Sequence, residues 1–223
     1  MNIARSIVVG WLMLMNSQSS EAGETTATLV LPAPRLVGRQ SLESALDTRR
    51  SIRDYSGTPL SLEEVSQLLW AAQGVTEPEG GRTAPSAGAL YPLEVYFVAG
   101  NVSSLDAGVY HYRPQDHTIS VQSEGDMRAR LARAALRQEC VRDAAAVLVF
   151  TAVYARTKGK YGERGTRYVH IEVGHAAQNV CLQATTLGLG SVTVGAFDDD
   201  AVRKTLRLPS AERVLYLVAV GKR

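Results

Sequence analysis

The chain has 223 residues, of which 45% are hydrophobic and 21% charged. That length holds one sizeable α/β domain, and the balance is that of an ordinary globular protein. The formal net charge is +2, from 24 basic and 22 acidic residues, so no charge bias points to a nucleic-acid partner or an acidic membrane surface.

Residues 1–22 stand apart. Arg5 precedes an apolar run from Ile7 to Met15 and a small, polar stretch from Asn16 to Ala22. This is the shape of an export signal, too short to span a bilayer as a free helix. Export to the cell envelope and retention in the cytoplasm both stay open. Residues 23–40, with Pro32, Pro34 and Gly38, are expected to form a linker or wrapping arm before a domain at 41–223.

A helix is expected from Ser41 towards Arg50, and a second from Ser61. There Ser61 and Glu64 make a capping box, and Gly74 a stop. Residues 76–90 read as a Gly/Pro/Ser-rich loop. Glu94–Ala99, Val109–Tyr112 and Thr118–Val121 read as strands, the last two joined by a turn at 114–116. Met127–Leu136 reads as an amphipathic helix and Ala144–Tyr154 as a buried strand. Tyr168–Leu187 is the longest helix, with Val169, Val173, Ala176, Val180, Ala184 and Leu187 on one face. Ser191–Val194 is a short strand. A helix starts at the acidic run Asp198–Asp200, and Val214–Val220 is a last strand. The elements lack the regular alternation of a doubly wound fold. The expectation is α+β: a mixed central sheet sandwiched by helices.

The two cysteines, Cys140 and Cys181, form no CxxC pair and read as buried small hydrophobes, with a disulfide as the alternative. Glu172 and His175 have the Glu-x-x-His spacing of carboxylate metal sites, but no second copy exists, so no metal is expected.

Five stretches could carry chemistry. Arg49, Ser51 and Arg53 could clamp a phosphate if the first helix runs on and puts both arginines on one face; a solvated helix end is the alternative. Pro85–Pro92 is rich in small residues, which let a backbone approach a flat ligand, or it is an ordinary loop. Lys160–Gly165 is expected as a polar loop in which a Lys beside a Tyr could act as a base, or as a merely solvated loop. Gly188–Phe197 is glycine-rich but lacks the dinucleotide-binding spacing. The chain ends on two cations, Lys222 and Arg223.

Taken in order, "RRSIRDYS", "PSAGALYPLEVY", "GVYHYRPQDH", "KYGERGTRYVHIEVGHAAQN", "LGLGSVTVGAF" and "LYLVAVGK" resemble the nitroreductase superfamily of flavoproteins. They resemble most its SagB-type branch, the azoline dehydrogenases that make thiazoles and oxazoles in peptides. The resemblance implies a nitroreductase-like fold, FMN as cofactor, and a domain-swapped homodimer with flavin sites at the interface. It places Arg49, Ser51 and Arg53 at the FMN phosphate and ring-edge oxygens, and Lys222 and Arg223 at the phosphate. It places Ser86, Ala87 and Gly88 on the partner subunit's loop beside the ring, and the backbone of Gly195 and Ala196 near flavin N5. It makes Lys160 and Tyr161 the proton-accepting pair. The implied activity is oxidation of an azoline in a peptide or small molecule, with hydride transfer to N5. The alternatives are an NAD(P)H-dependent nitro or quinone reductase and a flavin-binding protein without turnover.

Overall fold

The computed structural model describes residues 27–223; the signal-like segment 1–22 lies outside them. The elements in chain order are β1 (Thr28–Val30), α1 (Leu42–Thr48), α2 (Leu62–Gln73), a 3-10 turn (Ala87–Ala89), β2 (Leu93–Ala99), β3 (Gly108–Arg113) and β4 (Thr118–Glu124). There follow α3 (Arg128–Ala134), α4 (Glu139–Asp143), β5 (Ala146–Ala152), α5 (Tyr154–Tyr161), α6 (Arg164–Thr186), β6 (Leu189–Val194), α7 (Asp199–Thr205) and β7 (Arg213–Lys222).

The strands form one seven-stranded sheet in the order β1-β4-β3-β2-β5-β7-β6. Every named pair is antiparallel. The parallel part of the expected mixed sheet is limited to isolated bridges, Ser51 with Ser191 and Leu60 with Val102. The sheet lies between two helical layers, as an α+β sandwich requires. Val95, Phe97, Leu148 and Phe150 pack with α2 and α6. Their alternating neighbours Tyr96, Val98, Val147 and Val149 pack with α3, α4 and α7. Side chains alternate faces along a strand, so β5 reads as a continuous apolar run because both of its faces are covered.

Local signals act as expected at α2 and α7. Ser61 and Glu64 close a reciprocal capping box, and Asp198 caps α7 through the Ala201 amide at 2.8 Å. Cys140 and Cys181 are free and buried. They belong to opposite helical layers, so the sheet separates them and rules out the disulfide.

Several elements depart from expectation. α1 ends at Thr48, and Arg49 has φ −57 and ψ 124; the Arg49–Arg53 helical face does not form. Lys160 and Tyr161 lie at the end of α5, not in a loop. This helix is held by tertiary packing: a Cβ on Gly165 of α6 would come within 3.0 Å of the Thr157–Lys158 backbone. The described part of the 23–40 arm is tied down. Its β1 pairs with β4 and becomes the edge strand, and Gln67 of α2 grips the Arg35 backbone, accepting at 2.8 Å and donating at 3.0 Å.

Glu212, 6% exposed, fastens the start of β7 to its neighbour β5 and to β2 beyond it. It accepts hydrogen bonds from Tyr96 Oη at 3.0 Å and from Thr151 Oγ1. Glu212→Ala leaves both hydroxyls buried and unpaired, a cost of about 1–3 kcal/mol each. Denaturant unfolding is expected to show a clear fall in midpoint at unchanged slope.

Candidate functional site

The first group of candidate residues gathers where β6 and β7 meet the chain leaving α1. Ser51 bridges Ser191, the Ile52 amide donates to the Ser191 carbonyl at 2.9 Å, and the Ser56 amide to the Lys222 carbonyl at 3.0 Å. The segment lies so close to the sheet that a Cβ on Gly190 would sit 2.7 Å from Ile52 Cγ2. Glycine there is a matter of room. Arg49, Ser51 and Arg53 are thus presented by an extended segment, with Ser51 and Arg53 exposed and Arg49 partly so. The charge of Arg49 is felt by Cys181 in the α6 layer, and that of Arg53 by Cys140 in the other. The segment crosses the sheet edge between its two arginines. Lys222 makes an ion pair with Glu64 of α2, so its ammonium is already partnered, while Arg223 is exposed.

The second group forms around the 3-10 turn. Gly88 has φ +63, and a Cβ there would lie 2.8 Å from Tyr161 Oη and 3.0 Å from Lys160 Nζ. Gly88 and the Lys160–Tyr161 pair, more than 70 residues apart in sequence, therefore touch within one chain. Lys160 Nζ also stands 5.5 Å from the centre of the Tyr161 ring. Ser86 Oγ accepts from the Tyr91 amide at 2.9 Å and donates to Glu172 Oε2 at 2.6 Å. Glu172 is 3% exposed, and its Oε1 has no hydrogen-bond partner among the described residues. Burial pushes its pKa up to about 7, against the opposing pull of the Ser86 hydrogen bond and the Arg82 charge.

The third group is at the far end of β6. Gly195 and Ala196 are exposed, about 13 Å beyond Ser191 at the usual strand rise. Gly195 borders an open groove of about 810 Å³ that Phe197, Tyr216, Tyr154 and His170 also line. Tyr154 Oη and His170 Nε2 are 2.5 Å apart.

Glu172, Arg82, Tyr154 and His170 are residues that motif reading missed. Glu172 did leave a signal. It falls between Val169 and Val173 on the face of α6 that is otherwise apolar, where an acid must be buried. Its spacing to His175 is equally that of a carboxylate metal site. Arg82 sits in an aperiodic loop and left none.

A sheet with helical layers on both faces, and candidate groups at the two ends of its edge strand β6, defines a nitroreductase-like α+β protein. The nitroreductase family model matches residues 46–222; the chain belongs to the nitroreductase family and is an oxidoreductase of that family. It is 48% identical over 182 residues to MJ1384 of Methanocaldococcus jannaschii, named for the nitroreductases, covering 82% of this chain and 91% of that one. It is 30% identical over 165 residues to the microcin B17-processing protein McbC of Escherichia coli, covering 67% of this chain and 57% of that one. Among solved structures, one from Anabaena variabilis named for the nitroreductases superposes with a TM-score of 0.79 at 31% identity, over 88% of this chain and 42% of that one. The Escherichia coli microcin synthetase McbBCD complex, with truncated pro-MccB17 bound, superposes with a TM-score of 0.67 at 25% identity, over 97% of this chain and 84% of that one. The chain thus spans little more than half of McbC and less than half of the Anabaena chain.

The raised pKa of Glu172 makes stability depend on pH. The folded state holds the proton more tightly than the unfolded chain, so its contribution is complete below about pH 4.5 and is lost as pH rises to about 7. The loss is on the order of 3 kcal/mol at full burial. Unfolding free energies across that window are expected to fall more steeply for the wild type than for Glu172→Gln. Parallel curves would contradict the burial effect.

Proposed function

We propose that this chain is an FMN-dependent dehydrogenase of the SagB type that oxidises an azoline ring, carried by a peptide or small molecule, and that it works as a homodimer. The observation that carries this reading is the contact between Gly88 and the Lys160–Tyr161 pair. Two stretches that the resemblance assigns separately to the substrate side of a flavin meet in space. The similarity to McbC, a microcin-processing protein, favours a peptide substrate.

The residues present fit FMN. Among the described residues, Arg49, Arg53 and Arg223 have no ion-pair partner, and Ser51 lies between the first two in sequence. These four would hold the phosphate and ring-edge oxygens, with Lys222 shared with Glu64. The exposed backbone of Gly195 and Ala196 would meet the ring. When bound, FMN supplies a two-electron acceptor. Converting an azoline to an azole removes a hydride and a proton, and the chain's part is to take the proton. The Lys160 amine and the Tyr161 oxygen, both facing Gly88, are placed to do so.

The length of α6 supports a dimer. Leu42 and Ala45 of α1 share a pocket with Leu182, Gln183 and Thr186 at the C-terminal end of α6. Ser86 instead meets Glu172, near the start of that helix. Glu172 and Thr186, towards the two ends of α6, are about 21 Å apart at the helical rise. A second copy lets one flavin use both ends, and Leu36, Val37, Leu42 and Leu46 expose apolar surface for it.

Arg49→Ala is expected to leave largely colourless protein, because charge-assisted bonds to phosphate are worth about 1.5–3 kcal/mol each. Full flavin occupancy, read from the absorbance ratio, would remove Arg49 from the site. Lys160→Ala and Tyr161→Phe are expected to stay yellow and to lose oxidation of a thiazoline-containing peptide by about 10²–10⁴-fold. Anaerobic bleaching by NADPH, with nitroaromatic reduction unaffected by either substitution, would favour the generic reductase instead.

A further inference from the structure

The loop that carries Gly88 is held in a conformation that its own residues resist. Gly88, Ala89 and Tyr91 have φ +63, +54 and +43. Glycine accepts this freely, but for Ala89 and Tyr91 it is the left-handed region that side chains enter at a cost. Such a loop persists only where its surroundings fix it.

The fixing groups converge on Ser86 and Tyr91. The Arg82 guanidinium lies 4.3 Å from the centre of the Tyr91 ring, and Arg156 Nη1 donates to the Tyr91 carbonyl at 3.0 Å. The Tyr91 amide donates to Ser86 Oγ, and Ser86 gives its one proton to Glu172. Ser86 therefore has no hydroxyl proton left for a ligand.

Glu172 is the unexpected member. It lies on the apolar face of the best-anchored helix, buried and without an ion pair among the described residues. The packing of α6 gains nothing from an acid there, since buried polar groups with an unmet acceptor cost stability. What Glu172 does is offer a rigid acceptor to the loop. We propose that Glu172 is the positioning residue of the site: acting through Ser86, it holds Gly88 against Lys160 and Tyr161. The hold on the loop rests on geometry; its consequence for turnover rests on the reading of Lys160 and Tyr161 as the proton-accepting pair.

The test uses flavin-loaded wild type, Glu172→Gln, Glu172→Leu and Ser86→Ala. Hydrogen exchange is followed by mass spectrometry over residues 86–91, beside oxidation of a synthetic thiazoline-containing peptide. Glutamine keeps an acceptor oxygen for Ser86, so Glu172→Gln is expected to match the wild type in both. Glu172→Leu and Ser86→Ala are expected to speed exchange of the Tyr91 amide about tenfold or more and to lower kcat at unchanged flavin content. Ser86→Ala removes the Tyr91 acceptor itself and sets the scale of the effect, and Glu172→Ala replaces the leucine variant should that one not fold. Tyr91 exchange at the wild-type rate in folded Ser86→Ala and Glu172→Leu would overturn the proposal, whatever the activities. Faster exchange, together with full azoline oxidation by Lys160→Ala and Tyr161→Phe, would uphold the positioning role and sink the Lys–Tyr reading instead.

Discussion

The packing of α6 along the sheet is the constraint from which the site is built. Val169, Val173, Ala176, Val180 and Ala184 are all buried on it, so the helix cannot shift without opening the core. Its start carries Glu172 and meets the Ser86 loop and α5. Its end meets α1, from which the arginine segment leaves. The distance between the two groups is therefore set by a rigid rod rather than by loops. A cofactor shorter than that rod leaves one group unused unless a second chain supplies the other.

Much of the fold was legible in the sequence, because its strongest signals are local. The capping box at Ser61 and the acidic start of α7 are side chain-to-backbone matters decided within four residues. The apolar stripe of α6 and the unbroken apolar run of β5 report burial directly. What stayed hidden was set from a distance. β1 is three residues long and exists because β4 accepts it at the edge of the sheet. α5 is polar and contains Gly159, and it is a helix because α6 packs against it. The Arg49 segment looked like a continuing helix; the parallel bridge from Ser51 to Ser191 pulls it out straight instead.

The candidate site was legible as a set of stretches, through resemblance to a family, and not as a geometry. Nothing local links Gly88 to Tyr161, or tells that Lys222 is paired with Glu64. The two acids buried among the described residues, Glu172 and Glu212, show what sequence patterns can miss. Each takes a hydroxyl proton from a distant element, Glu212 to lock the strands and Glu172 to hold a loop. At Glu212 the bonds tie strand to strand inside the core, a structural role. At Glu172 one oxygen is left unmet and the bond leads to a strained loop beside the Lys–Tyr pair. Strain and an unmet acceptor together are what a site, rather than a core, retains.

The most direct test is complementation between subunits. Arg49→Ala and Tyr161→Phe chains, each inactive as a homodimer, are co-expressed with different tags and the mixed dimer is purified. If one flavin draws Arg49 from one subunit and Tyr161 from the other, the mixed dimer keeps one of its two sites intact. It should then bind FMN and oxidise a thiazoline-containing peptide at about half the wild-type rate per dimer, since independent sites add. A mixed dimer as inactive as its parents would show that both groups serve the same flavin from the same chain, and would contradict the shared site.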